Sequence, residues 1–227
     1  MGQWGNGMRQ WGNEAMEWGN GGMRRMVGRG LVVAGVIVGV GGCAAAGRPG
    51  AASSYLIVET LQAASGAQPT TFSGTLPSDV QTYVNATVNG TQVRVPTVFE
   101  DLAQVTLRLA MKDTGAVTAP TNFITINRYR VTFRRSDGRN VQGVDVPYAF
   151  DGAMTVTVGD EPVRASFTVV RVQAKSEAPL LALIGGGGAL AISTLADIEF
   201  FGTDQAGRAV SVTSAISINF ADWGDPE

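Results

Sequence analysis

No histidine occurs anywhere in the 227 residues. That absence removes histidine-based triads, histidine metal sites and the usual general base near neutral pH. There is a single cysteine, Cys43. Neither a disulfide framework nor a cysteine-ligated zinc or iron-sulfur centre can therefore form within one chain. Charge is sparse and balanced, with 17 Lys and Arg against 19 Asp and Glu for a formal net charge of -2. Such a weak global field gives no reason to expect a nucleic-acid partner. These absences argue against an enzyme, and they imply neither a metal nor a cofactor. What remains is a chain with 44% hydrophobic residues, an ordinary content for a protein that buries a core.

The position of the one cysteine is informative. Leu31 to Val40 is an uncharged apolar run preceded by Arg24, Arg25 and Arg29, the pattern of a charged n-region followed by a short h-region of an export signal. A helix of that length rises only about 15 Å, half of a hydrocarbon core of about 30 Å. It suits a cleaved leader better than a membrane span. The run ends in Val40-Gly41-Gly42-Cys43, which resembles the lipobox of bacterial lipoproteins, with Val in place of the commoner Leu and Gly in place of the commoner Ala or Ser. The resemblance implies a diacylglycerol on the Cys43 thiol and cleavage between Gly42 and Cys43. It also implies residence in the bacterial cell envelope, at the outer membrane in a two-membrane organism, because Ala44 rather than Asp follows the cysteine. The thiol is the nucleophile that takes the lipid, and the small residues beside it admit the peptidase.

Upstream, Trp4-Gly5-Asn6, Trp11-Gly12-Asn13 and Trp18-Gly19-Asn20 recur every seven residues. A glycine after each tryptophan costs about 1 kcal/mol in a helix, and no second apolar seam accompanies the repeat, so a coiled coil is excluded. Met23 or Met26 is read as the true start, and a start at Met23 leaves a compact Met-Arg-Arg n-region. The chain thus divides into a repeat at 1-22, a leader at 23-42, an Ala, Gly and Ser-rich tether at 43-53 and a folded part at 54-227.

The folded part is rich in β-branched residues, and Gly, Asp, Asn and Pro punctuate its alternating apolar segments. The expected strands are Tyr55-Ala63, Thr91-Pro96, Gln104-Lys112, Phe123-Arg134, Val141-Ala149, Ala153-Val158, Val163-Val172, Ile192-Phe201 and Ala209-Phe220. Val105, Leu107, Leu109 and Met111 alternate most clearly. The apolar phase slips between Ile126 and Tyr129, as a β-bulge requires. Turns are expected at Ser136-Asp137-Gly138-Arg139 and at Thr203 to Gly207. Pro147 indicates an edge or a bulge. Ser176 to Ile184 reads as one short helix or cap leading into Gly185-Gly186-Gly187-Gly188. The fold class expected is all-β: an antiparallel two-sheet sandwich whose strand spacing resembles bacterial immunoglobulin-like or fibronectin-like domains, with a lipocalin-like barrel as the alternative.

Few residues suggest chemistry. Arg128, Arg130 and Arg134 share one face of a predicted strand, with Arg135 and Arg139 just beyond, and such a row could meet an anionic partner. Solvated side chains on an exposed face explain the row equally well. The four glycines lack the Lys-Ser or Lys-Thr of a phosphate loop. Asp222, Asp225 and Glu227 lack the spacing of a calcium loop, and Asp160 with Glu161 reads as turn chemistry. The sequence therefore favours a membrane-tethered structural or interaction module whose partner is another envelope protein. The alternative is a glycan- or lipid-binding module using aromatics such as Tyr129, Tyr148, Phe150 or Trp223.

Overall fold

A computed structural model describes residues 51-224. The repeat, the leader, Gly42, Cys43 and most of the tether lie outside the described residues, as do Asp225 and Glu227.

Among the described residues the chain is all-β, arranged in three sheets. One three-stranded sheet joins β1 (Ser54–Ala64), β5 (Asp101–Met111) and β8 (Val163–Val170) in antiparallel order. A five-stranded sheet, curled as a half-barrel, runs β2 (Thr75–Asp79), β10 (Ala209–Ala221), β9 (Ile192–Asp204), β6 (Ile124–Arg134) and β7 (Phe150–Val158). The third sheet is a two-stranded ribbon, β3 (Thr82–Val88) with β4 (Thr91–Thr97).

Period-two patterning explains why the first two sheets form. Ala103, Val105, Leu107 and Leu109 of β5 point inward and the residues between them outward. Ile216, Ile218 and Phe220 do the same on β10, and Ala196, Ile198 and Phe200 on β9. Burying each large apolar side chain contributes about 1.5 to 3 kcal/mol. Aromatic rings stitch the layers together: Phe167 of β8 meets Tyr129 of β6 at 4.9 Å and Phe200 of β9 at 5.3 Å between ring centroids.

The bulge expected near Ile126 is present. Pairing of β6 with both β7 and β9 shifts register between Ile126 and Arg128. Tyr129 thereby returns to the buried face, where its ring occupies the space a Cβ on Gly152 would need. The Thr203 to Gly207 turn joins β9 to β10, and Asp204 accepts the backbone N–H groups of Ala206 and Arg208.

Three expectations need correcting. The sheets are not purely antiparallel, because β2 runs parallel to β10. This strand escaped the sequence reading because it contains Pro77, which an edge strand tolerates. The strand expected at Val141-Ala149 is instead a compact loop, in which the N–H groups of Val144 and Asp145 both donate to Val141 O. Val141 and Val144 are exposed there while Val146 alone of the three valines reaches the core, and Pro147 lies in this loop. The single helix expected at Ser176 to Ile184 is replaced by α1 (Val172–Lys175) and a separate 3-10 turn at Leu180–Leu183. Proline at 179 disfavours helix at the residue before it, which separates the two.

Candidate functional site

The arginine row lies where expected, on the outer face of β6, but this chain already supplies its counter-ions. Arg128 and Arg130 approach the Asp151 carboxylate at 3.0 and 3.5 Å. Arg134 meets Asp197 at 2.5 Å with a second contact at 3.3 Å. Glu199 sits opposite Arg130 on β9, and the Arg128 guanidinium lies over the Phe201 ring at 4.1 Å. Arg135 and Arg139 both contact Asp137. The row is a matched lattice of surface ion pairs, with little net positive potential to offer an anionic partner.

The other sequence candidates disperse. Tyr129 and Phe150 are buried in the core, where the Tyr129 hydroxyl donates to Thr168 O at 3.1 Å. Tyr148 packs against Gly143 in the 141-149 loop. Asp160 and Glu161 are exposed in the turn between β7 and β8. Asp222 accepts the Gly185 N–H at 2.6 Å and so anchors the start of the glycine run. Gly185, Gly187 and Gly188 have positive φ, which shapes tight turns there. No cluster of three or more His, Cys, Asp or Glu able to hold a metal occurs among the described residues.

Among the aromatic candidates, Trp223 reaches a concave site, and Arg128 lines another on the β6 side. The turn after β1, the end of β2, the root of β3, the approach to β5 and Trp223 enclose a cavity of about 240 Å³. Its walls carry the rings of Trp223, Tyr83 and Phe99, with Asp79, Ser65 and Thr82 supplying polar atoms. The Trp223 backbone N–H donates to Asp79 Oδ1 at 3.1 Å. The indole Nε1 of Trp223 is buried and has no hydrogen-bond partner.

Directly behind this cleft is a buried polar knot that the sequence did not reveal. Lys175 Nζ, with its side chain 1% exposed, donates to Asp101 Oδ1 at 2.6 Å and to Asp79 O at 2.7 Å. The Ser78 hydroxyl donates to Asp101 Oδ2 at 2.6 Å, and the Gly66 N–H to Oδ1 at 2.8 Å. Gly66 is required for that approach, since a Cβ there would sit 2.4 Å from Glu100 O and from Phe99 Cβ. Burial pushes the Asp101 carboxyl above its ordinary range, against the opposing pull of Lys175, Ser78 and Gly66. The knot ties α1 to β5 and β2, and through Asp79 it fixes one wall of the cleft.

A second feature projects away from the core. In the β3 and β4 ribbon the two-residue turn is Asn89-Gly90, both at positive φ (52° and 80°), which is the geometry of a tight hairpin. Beyond its root at Thr82 and Thr97 the ribbon is largely solvated, with Tyr83, Val84, Val88, Val93 and Val95 all between 37% and 51% exposed. An isolated two-stranded hairpin is marginally stable in water. This one presents apolar side chains that its own domain does not cover.

No known protein family, curated protein or solved structure matches the chain.

Proposed function

We propose that this chain is a lipid-anchored protein of the bacterial cell envelope, at the outer membrane in a two-membrane organism, whose folded domain acts as a protein-interaction module. The domain is read as an immunoglobulin-like β-sandwich, and Cys43 carries the lipid. Neither catalysis, a cofactor nor a nucleic-acid partner enters this reading, and the internal pairing of the arginine row supplies no reason to add one.

The observation that carries the interaction role is the projecting β3 and β4 ribbon, with four exposed valines and a single charged residue, Arg94. Exposed apolar side chains on an extended ribbon are the usual material of partner docking, by packing or by strand addition at an edge. A photo-crosslinking residue at Val93, placed in the native envelope, is expected to give a discrete crosslinked species that is reduced when Cys43→Ser prevents anchoring. The same probe at Arg164 of β8 serves as the control. Equal yields at Val93 and Arg164, or processing and membrane partition of Cys43→Ser like the parent, would overturn the respective halves of the proposal.

The alternative role, binding of a glycan, is favoured by one specific observation: the aromatic-lined cleft at Trp223.

A further inference from the structure

We infer that the cleft at Trp223 is a binding site for one pyranose ring of a neutral glycan. This rests on the alternative glycan-binding role and names the ligand class; the cleft shares Thr82, Tyr83 and Val84 with the root of the ribbon.

The first argument is chemical. A pyranose has an apolar face of C–H groups and a rim of hydroxyls, so its site needs exposed ring faces beside mixed donors and acceptors. Six of the described aromatic side chains are spent in the core, including Phe133, Phe167, Phe200 and Phe220. Tyr83 and Phe99 are instead 43% and 39% exposed, and with Trp223 they converge on one cavity. The carboxylate of Asp79 and the hydroxyls of Ser65 and Thr82 stand between the rings. Oxygen acceptors hold more than one lone pair, so the bonds they already make leave capacity for a ligand.

The second argument is the indole nitrogen. A buried donor without an acceptor costs about 1 to 3 kcal/mol, and Trp223 Nε1 is such a donor on a residue that lines the cavity. The indole N–H is shut off from the cavity space, so a turn of the ring toward the cleft would bring it to a ligand hydroxyl oxygen, the kind of acceptor that would relieve the cost. A hydrocarbon would leave the cost in place.

Charge and size narrow the class. No Lys or Arg lines the cavity among the described residues, and Asp79 supplies its one formal charge, so phosphate, sulfate and carboxylate ligands are disfavoured. The volume of about 240 Å³ lies below the roughly 300 to 1,000 Å³ of sites for larger ligands. One ring fits, as the terminal or a looped-out unit of a longer glycan. The wall is also pre-set: Lys175 holds the Asp79 carbonyl from behind, so little ordering is left for the ligand to bring about.

The test is an NMR titration of the full chain, following the indole N–H signal of Trp223, assigned by its loss in Trp223→Phe. N-acetylglucosamine, glucose and galactose are the probes, and choline is the cationic control for an aromatic cage. The expected result is a saturable shift of that signal with at least one pyranose and, followed in both proteins on the backbone amide signals of the cavity wall, a Kd about tenfold weaker in Trp223→Phe, the weight of one hydrogen bond. Tyr83→Ala, an exposed position, should weaken the same titration without changing the fold. No saturable shift with any pyranose, an unchanged Kd in Trp223→Phe, or a response to choline alone would each overturn the inference. Because Val93 lies on the ribbon, outside the cavity lining, crosslinking there succeeds or fails independently of this titration.

Discussion

Lys175 with Asp101 and Arg134 with Asp197 are the same chemistry in two different solvents. Both pair a cation with a carboxylate at hydrogen-bond distance, 2.6 and 2.5 Å. The first has side chains 1% and 0% exposed, the second 51% and 30%. At about 4 Å two unit charges attract by about 1 kcal/mol in bulk water and about 4 kcal/mol where the effective dielectric constant is near 20. In the open, even that small gain is offset by the side-chain entropy lost. In the interior, the two charges were costly to bury, so each depends on the other to remain there. The visible density of charge in a sequence and its energetic weight therefore run in opposite directions here. Five arginines between 128 and 139 matter less to the fold than one lysine.

Removing one partner of the buried pair should have the largest effect. Lys175→Met keeps most of the side-chain volume and leaves Asp101 facing only Ser78 and Gly66. It is expected to cost about 3 to 5 kcal/mol, read as a lowered midpoint in urea denaturation of the whole protein. Adding Asp101→Leu should restore a large part of that loss, since an apolar pair of similar volume replaces an orphaned charge. A single variant as stable as the parent, or a double variant worse than the sum of its parts, would show that the knot does not hold the fold.

A smaller effect separates two carboxylates by sign. The Asp101 carboxyl is raised above 3.8, chiefly by burial. Between that value and its folded value the native state binds more protons than the unfolded state, so the Asp101 contribution to stability is fully present below 3.8 and is lost as pH rises through the folded value. Asp137, held down to about 2 chiefly by its hydrogen bond from Arg135, behaves oppositely. Its contribution is present above 3.8 and is lost as pH falls through about 2. Melting temperature followed against pH should show these slopes, and Asp101→Asn and Asp137→Asn should each remove one of them. Difference curves of the same sign would contradict the assignment.

How much of this was legible follows from the range of the interactions. Patterns internal to a strand could be read: the alternation along β5, the phase slip at Ile126 to Tyr129, the common face of Arg128, Arg130 and Arg134. Asp101 belongs to the same inward phase as Ala103, Val105 and Leu107, so a strand begun three residues earlier would have exposed a carboxylate aimed at the core. Asn89-Gly90 was an equally local signal for the ribbon. The partners of the arginines were not legible, because Asp197 is 63 residues from Arg134. Lys175 was less legible still, since it reaches Asp101 across 74 residues from a helix of four residues. Trp223 was named as a candidate, but the cavity around it depends on segments that meet only when both sheets are in place. β2 was hidden by its own proline, and the loop at 141-149 resembled a strand because valine recurs there, although only Val146 faces the core while Val141 and Val144 are exposed.

The smallest effect is expected at the surface pair. Arg134→Ala should cost about 0.2 to 1 kcal/mol at low ionic strength. Salt decides whether that cost is electrostatic. The Debye length falls from about 10 Å at 0.1 M to about 3 Å at 1 M, so the penalty of Arg134→Ala should shrink toward zero across that range, while that of Lys175→Met, shielded by protein, should persist. If both penalties fell together, the Lys175 side chain would have to be open to ions, and the burial that distinguishes the two pairs would be wrong. If neither fell, Arg134 would be acting through the packing of its stem on the outer face of β6 and β9, and the arginine row would have a structural role that its ion pairs conceal.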